Sequence, residues 1–470
     1  MSALPGLIPG VVDVAIVGAG PAGMAAAIVL ARVGVTVAVF DEGPTLGGQI
    51  YRGIAATPLK RDTVLGKDYW RGSKQLEEFQ ASGAGYFNRS NVWAIQSGGE
   101  DHAVAASRDG QAQALTARRV LIATGAMERP FPIPGWTLPG VLGAGAAQIA
   151  LKTSALVPEG KIALAGTGPL LYLLASQYIS AGVAIEVLLD TSTGWRGLTA
   201  LPGFLLSPYA RKGVALRSSL RGLRIERGVT GLRALGDGRL KRVAWHGGEL
   251  AVDCLLLHQG VAPNLNLARA TGCALDWDEE RLAFAPRSNR WGETSVPGIF
   301  VAGDGAGIVG AEASVAQGRV AALQLAVQLG AMKDSVRDAA AMMVRRQLRK
   351  ALRGRRFLDR YFRPADECLV PSGDTIVCRC EEVTAGQVED AIAQGAIGPN
   401  QTKAYLRCGM GPCQGRYCGL TVSAMIAAAT GRSPQQVGYF RLRSPVKPVT
   451  LGELASMPSN DAARRVVEPA

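Results

Sequence analysis

The strongest constraint on the fold is a glycine turn that occurs twice. Gly18-Ala19-Gly20-Pro21-Ala22-Gly23 follows an apolar, β-branched run, Val11 to Val17, and opens a small-residue stretch from Ala22 to Arg32. Val35 to Phe40 reads as a second strand that ends in Asp41. Strand, glycine turn, helix and strand together form the βαβ unit whose turn takes a dinucleotide pyrophosphate. Gly18 permits the tight turn, Gly20 admits the pyrophosphate to the backbone, and Gly23 lets helix and strand pack closely. The helix N-terminus, opening at Pro21 and Ala22, then faces the phosphates. Asp41 is the expected acceptor for a ribose hydroxyl, with Glu42 beside it. An acid there disfavours the 2′-phosphate of NADP.

About 150 residues later the pattern returns. Lys161 to Ala165 is an expected strand, Gly166-Thr167-Gly168-Pro169-Leu170-Leu171 the turn, Leu171 to Ala181 a helix and Val183 to Leu189 a strand. Gly166, Gly168 and Pro169 would form a second nucleotide site. Leu171 stands where the third glycine belongs, which crowds helix, strand or groove. A nicotinamide site and a structural or non-redox nucleotide site are both open here. Two shorter signals follow strands: Thr124-Gly125 after Val120 to Ala123, and Gly303-Asp304-Gly305 after Ile299 to Ala302. A helix is expected over Ala311 to Leu329. The order implies an α/β fold with a discontinuous dinucleotide-binding domain, residues 1–155 and 256–330, interrupted by a second Rossmann-like domain, residues 156–255.

The chain has 470 residues, 48% of them hydrophobic, enough for two or three domains. Its longest uncharged run, Ile162 to Ile185, has the length of a membrane span but contains the second glycine turn, which favours strand, turn and buried helix. Met1 to Val12 lacks a basic region, so no signal peptide is expected. The formal charge is +13. Much of it lies in a basic helical linker, residues 331–371, through Arg345, Arg346, Arg349, Lys350, Arg353, Arg355, Arg356, Arg360 and Arg363, with a break near Gly354. A solvated face with salt bridges to a neighbouring domain is expected, and a docking surface for a subunit or a membrane is the alternative. No nucleic-acid module accompanies the charge.

Five of the eight cysteines fall in residues 372–470. Cys378-x-Cys380 and Cys413-x4-Cys418 supply four thiolates, the donor set of a [2Fe–2S] cluster, and Cys408 is a fifth that could replace one. Zinc is the rival, but zinc knuckles favour CxxC pairs. Cys254, Cys273 and Cys368 are isolated, so dithiol chemistry is not expected. The three histidines, His102, His246 and His258, form no spaced motif. Clustered rather than paired cysteines fit a reducing cytoplasm. Thr384 to Gln387 is a capping box ahead of a helix that Gly395 ends, a further helix starts near Arg416, and the tail after Pro445 has little pattern and reads as a surface arm.

These residues resemble a known family. Residues 1–330 resemble the glutathione-reductase-like flavoproteins, with Gly303-Asp304 similar to their second FAD motif and Thr124-Gly125 to their short motif near the cofactor. Asp41-Glu42 followed by Gly47-Gly48-Gln49-Ile50-Tyr51-Arg52 resembles the α subunits of heteromeric amine and amino-acid dehydrogenases. That group includes octopine and nopaline oxidases, D-hydroxyproline dehydrogenase, hydrogen cyanide synthase and, more distantly, heterotetrameric sarcosine oxidase. The Gly166-x-Gly168-Pro169-Leu170-Leu171 turn matches that group. Cys378 to Thr384 and Gly409 to Arg416 resemble its C-terminal domain, which is related to bacterioferritin-associated ferredoxin. Cys408 departs from the pattern, since a small residue is usual there.

The resemblance implies a flavoprotein with a small helical iron–sulfur domain that binds FAD, with NAD or ATP as the other nucleotides such turns take. It implies a D-amino-acid-oxidase-like β subunit that dehydrogenates the C–N bond of an amino acid, opine or hydroxyproline. It also implies an FMN at a subunit interface and a small third subunit. The cysteine usage points to the cytoplasm, with peripheral association with the inner membrane as the alternative that the basic linker leaves open. A self-sufficient NAD(P)H-dependent reductase and a non-catalytic scaffold with structural nucleotide and metal are the competing expectations.

Overall fold

The computed structural model describes residues 10–192, 199–205 and 207–468. Its largest sheet has seven strands. Gly85–Phe87, Val37–Phe40, Val11–Val17 and Gln111–Ile122 run parallel in that order, and Ile299–Val301 pairs with the last of them. His102–Arg108 and Ser90–Ser97 continue the sheet as an antiparallel meander. Val11–Val17 is apolar almost throughout because both its faces are buried, one under the helix Pro21–Arg32 and the other against the meander. The helices Pro21–Arg32 and Ala311–Gln328 meet backbone to backbone. A Cβ on Gly318 would stand 2.1 Å from the Ala22 carbonyl oxygen.

The second sheet is parallel as well: Ile225–Arg227, Val187–Asp190, Ile162–Thr167, Cys254–Gln259 and Val141–Gly143. Its strands therefore extend on both sides of residues 156–255. The early strand Val141–Gly143 pairs with Cys254–Gln259, a contact of more than a hundred residues that no local pattern announces. A short antiparallel ribbon, Ala126–Glu128 with Val261–Pro263, carries the chain between the two sheets.

The linker forms the helices Asp334–Ala351 and Arg355–Tyr361, broken at Gly354 in a left-handed conformation. Beyond it, the hairpin Ile376–Cys378/Val383–Thr384 and the helices Ala385–Ala393, Pro399–Leu406 and Gly419–Thr430 make the cysteine domain. Its core includes Leu265 and Phe284 of the large domain, so the two are packed as one. The tail is not a free arm. Thr450 and Glu453 form a capping box for the helix Leu451–Ala455, and Asp461–Val467 lies on the meander, where Ala462 and Ala463 meet Ala103 and Ala114. Small side chains on both surfaces allow that close fit, and alanines give little periodic signal in a sequence. Among the described residues no helix is long and apolar enough to cross a membrane.

Candidate functional site

Three separated segments converge on the first glycine turn. A Cβ on Gly18 would stand 2.4 Å from the Ala123 carbonyl oxygen, and one on Gly23 1.9 Å from that of Gly18. Gly48 approaches Gly20, Gly303 approaches Ala22, and Gly305 approaches Gly125. These contacts bring Gly48-Gln49, Thr124-Gly125 and Gly303-Asp304 around the start of Pro21–Arg32. Gly20 has only the Gly48 Cα within reach of an added Cβ, at 3.8 Å, and Gly125 has nothing within 4 Å. Pro21 opens the helix and no side chain caps it, so its first amides are left for a ligand. An open cradle under free helix amides fits a dinucleotide pyrophosphate.

Asp41 accepts from the amides of Ala19 and Gly43, both at 2.7 Å, which locks the turn to the end of the second strand. Burial raises its carboxyl above the ordinary value despite those bonds. Glu42 is instead lowered: its burial is outweighed by Lys447, with Arg416 and Arg52 adding to the pull. Asp304 accepts from the amides of Val309 and Gly310 through one oxygen, both at 2.8 Å. Behind the loop, Lys152 of the helix Ala144–Ser154 donates to the carbonyls of Gln49 at 3.2 Å and Ile50 at 3.1 Å. That buried ammonium ties the second unit to the loop of the first, and nothing in the local sequence marks it.

The second turn differs in backbone and in interior: Gly20 is extended, with φ −77°, whereas Gly168 has φ +120°. A Cβ on Gly168 would meet the His258 ring at 2.9–3.0 Å. His258 is buried and contacts Glu128 through Nδ1 at 2.6 Å. Asp190, which no motif in the sequence singles out, ends the strand that corresponds to the one before Asp41. It is fully buried, with Tyr172 donating to it at 2.5 Å and the Ser192 amide at 2.8 Å. Phe362 from the linker lies against the Tyr172 ring, 5.9 Å between centroids, and its carbonyl accepts from Thr167 at 3.5 Å. The groove of the second turn is thus lined and covered by the chain itself.

In the cysteine domain, the sulfurs of Cys378, Cys408 and Cys418 lie within 4.8 Å of one another, all buried. Cys408 and Cys418 donate S–H to Cys378, whose thiol is strongly lowered by those bonds, with the Gly409 and Glu381 amides adding to them. The two donors are pushed up in turn. Three adjacent thiolates need a cation to coexist, and amide N–H groups aimed at sulfur suit an iron–sulfur centre. Cys380 and Cys413 form a second, more exposed pair that bond to each other. The structure therefore brings all five cysteines to one place and sets Cys408 in its buried half.

Glycines make that crowding feasible. A Cβ on Gly411 would stand 2.2 Å from Cys380 Cβ. Gly409 and Gly415 leave room for the fully buried Phe440, and Gly419 for Tyr439. The centre also touches the dinucleotide site. Asn264 donates its amide to Gly125 at 3.0 Å, and two residues on Asn266 donates to the carbonyls of Cys413 at 3.3 Å and Gln414 at 3.1 Å. By contrast Cys254, Cys273 and Cys368 are buried singly, and burial raises each thiol.

Fold and site define a flavoprotein of two dinucleotide-type domains with an appended thiol centre. Residues 12–330 match the pyridine nucleotide-disulphide oxidoreductase family, and residues 372–457 the sarcosine oxidase A3 domain. An opine oxidase subunit from Agrobacterium tumefaciens (strain Ach5) is 45% identical, over 97% of this chain and 93% of its own. The hydrogen cyanide synthase subunit HcnB of Pseudomonas protegens is 32% identical, over 92% and 95%. The crystal structure of L-proline dehydrogenase from P. horikoshii superposes with a TM-score of 0.73 at 21% identity, over 94% of this chain and 79% of that one, and shares the fold. The chain belongs to the pyridine nucleotide-disulphide oxidoreductase family and, within it, to the α-subunit group of heteromeric FAD-dependent dehydrogenases.

Proposed function

We propose that this chain is the electron-transfer subunit of a flavin-dependent dehydrogenase that oxidises the C–N bond of an amino acid, opine or hydroxyproline on a partner subunit. The observation that carries this reading is the direct bridge through Asn264 and Asn266 from the Thr124-Gly125 segment to the Cys413-Gln414 loop. A flavin site and a thiol centre that share one rigid segment suit short-range electron transfer.

In this reading Gly18, Gly20, Pro21, Ala22 and Gly23 cradle the pyrophosphate of FAD, Asp41 and Glu42 face its ribose, and Gly48, Gln49, Thr124, Gly125, Gly303 and Asp304 complete the site. Bound flavin would supply two-electron acceptance with single-electron release. Cys378 with Cys418, and Cys380 with Cys413, would hold the two irons of a [2Fe–2S] cluster that accepts electrons singly, with Cys408 as a neighbour. A D-amino-acid-oxidase-like β subunit would hold the substrate, and an FMN at the interface and a small third subunit complete the assembly. The packing of the histidines agrees with chemistry held elsewhere: His102 is wholly buried and lowered to about 4 by burial, and His246 bonds Thr230.

Anaerobic purification of Cys378→Ser and Cys408→Ser variants tests the assignment. Cys378→Ser is expected to lose the visible iron–sulfur absorption and the dithionite-induced EPR signal while keeping flavin, and Cys408→Ser to keep all three. An unchanged spectrum in Cys378→Ser, or zinc in place of iron in the native chain, would sink the reading.

A further inference from the structure

The arginines of the linker divide into two groups. Arg355, Arg356, Arg360 and Arg363 find carboxylates: Asp359 at 2.7 Å, Glu280 at 2.9 and 2.7 Å, and Glu279 at 3.4 Å. These are the salt bridges expected of a basic linker. One helix earlier the matching is uneven, with Arg337 taking the acids of its own helix. Arg345 and Arg349, on Asp334–Ala351, converge with Arg290 on a cleft of about 310 Å³ whose other lining residues are Asp338 and Met342.

Counter-charge is short in that cleft. Asp338 is the one acid among its lining residues, and Arg337 already holds it at 2.9 Å. Arg337 also takes Asp334, at 2.6 Å. Three guanidinium groups, those of Arg290, Arg337 and Arg345, are held against one ring rather than waving in solvent. Arg345 stacks on Trp291 at 4.1 Å from the ring centroid, with Arg337 at 4.5 Å and Arg290 at 5.4 Å. The indole is buried, and its faces attract cations. The same packing leaves Arg345 Nη2 buried with no hydrogen-bond partner among the described residues. A buried unpaired N–H of a charged group is costly, and the rest of the Arg345 side chain lines the cleft, where a guanidinium stacked on a ring can still meet an oxyanion with its edge.

The geometry points to an oxyanion site at Arg290, Arg345 and Arg349 that takes the phosphate group of a small phosphorylated molecule or a phospholipid headgroup. A carboxylate needs one guanidinium fork, whereas three cations around one space suit the higher charge and several oxygens of a phosphate. Met342, 70% exposed, gives the rim an apolar edge beside the charge. This site is separate from both glycine turns and does not rest on the proposed function.

The test uses the full-length holoprotein with its cofactors bound, so that the first turn is already filled. Inorganic phosphate and pyrophosphate are titrated by calorimetry. Vesicles of phosphatidylcholine with and without phosphatidylglycerol are tested by co-sedimentation. Saturable binding of either free anion, or retention on the anionic vesicles alone, is expected, and the two arms distinguish a soluble phosphate from a headgroup. Arg345→Gln is expected to weaken whichever binding is seen at least about tenfold, a loss of one such charged contact, with flavin content unchanged. If Arg345→Gln does not fold, Arg349→Gln, whose side chain is exposed, serves in its place. Absence of binding in both arms, binding of an acidic protein partner only, or equal binding by wild type and variants would overturn the proposal.

Discussion

Gly20 and Gly168 occupy the same place in two copies of one motif, yet open space stands behind the first and a histidine ring behind the second. The acids that end the neighbouring strands differ in the same way. Asp41 bonds two backbone amides and lies at a half-buried edge, whereas Asp190 is sealed in and satisfied by Tyr172 and the Ser192 amide. Phe362 then lies across the second turn. A glycine count describes the backbone of such a turn but not its vacancy. Vacancy is decided by side chains that arrive from elsewhere, here His258 and Phe362. For a ribose hydroxyl to reach Asp190 in the second turn, it would have to displace the Tyr172 hydroxyl from that buried oxygen.

The comparison breaks most visibly at the third position of each turn. Gly23→Ala puts a Cβ 1.9 Å from the Gly18 carbonyl oxygen. It is expected to destabilise the chain by on the order of 4 kcal/mol and to cut the flavin retained on purification by about tenfold. Leu171→Gly, which restores the missing glycine in the second turn, is expected to gain no nucleotide, because Tyr172 and Phe362 still fill the groove. Flavin absorbance per chain and mass analysis of released nucleotides check both.

A smaller effect sharpens the same contrast, since Lys152 clamps the second unit onto the cofactor loop of the first. Burial lowers its ammonium from 10.5 to about 8. Between those values the unfolded chain holds a proton that the folded chain has released. Stability should therefore rise with pH across that window, by about 3 kcal/mol at most, and be insensitive to this group below it. The denaturation midpoint followed from pH 7 to 10.5 should show that rise in the native chain, with a flatter profile in Lys152→Met.

Much of the architecture was legible because it rests on local signals. Val11–Val17, the helix that begins at Pro21 and the capping box at Thr384 all lie where apolar runs, proline and a Thr-x-x-Gln spacing put them. What escaped the sequence depends on distance. Val141–Gly143 joins a sheet whose partner strand lies more than a hundred residues on. The tail helices dock through alanines, and Phe440 reaches the glycines of the cysteine loop only once the domain has closed. The five cysteines were visible as a set. Their division into a buried trio with Cys408 and an outer pair was not, because spacing along a chain does not encode which sulfurs face inward.

Nicotinamide binding by the native holoprotein tests the contrast most directly. Equilibrium dialysis against NADH is run on wild type and on Tyr172→Phe/Phe362→Ala, with the released nucleotides identified by mass. Wild type should carry FAD and show no saturable NADH binding up to about 1 mM, and the double variant should acquire it. Micromolar NADH binding by wild type would contradict the closed second turn and restore the self-sufficient reductase.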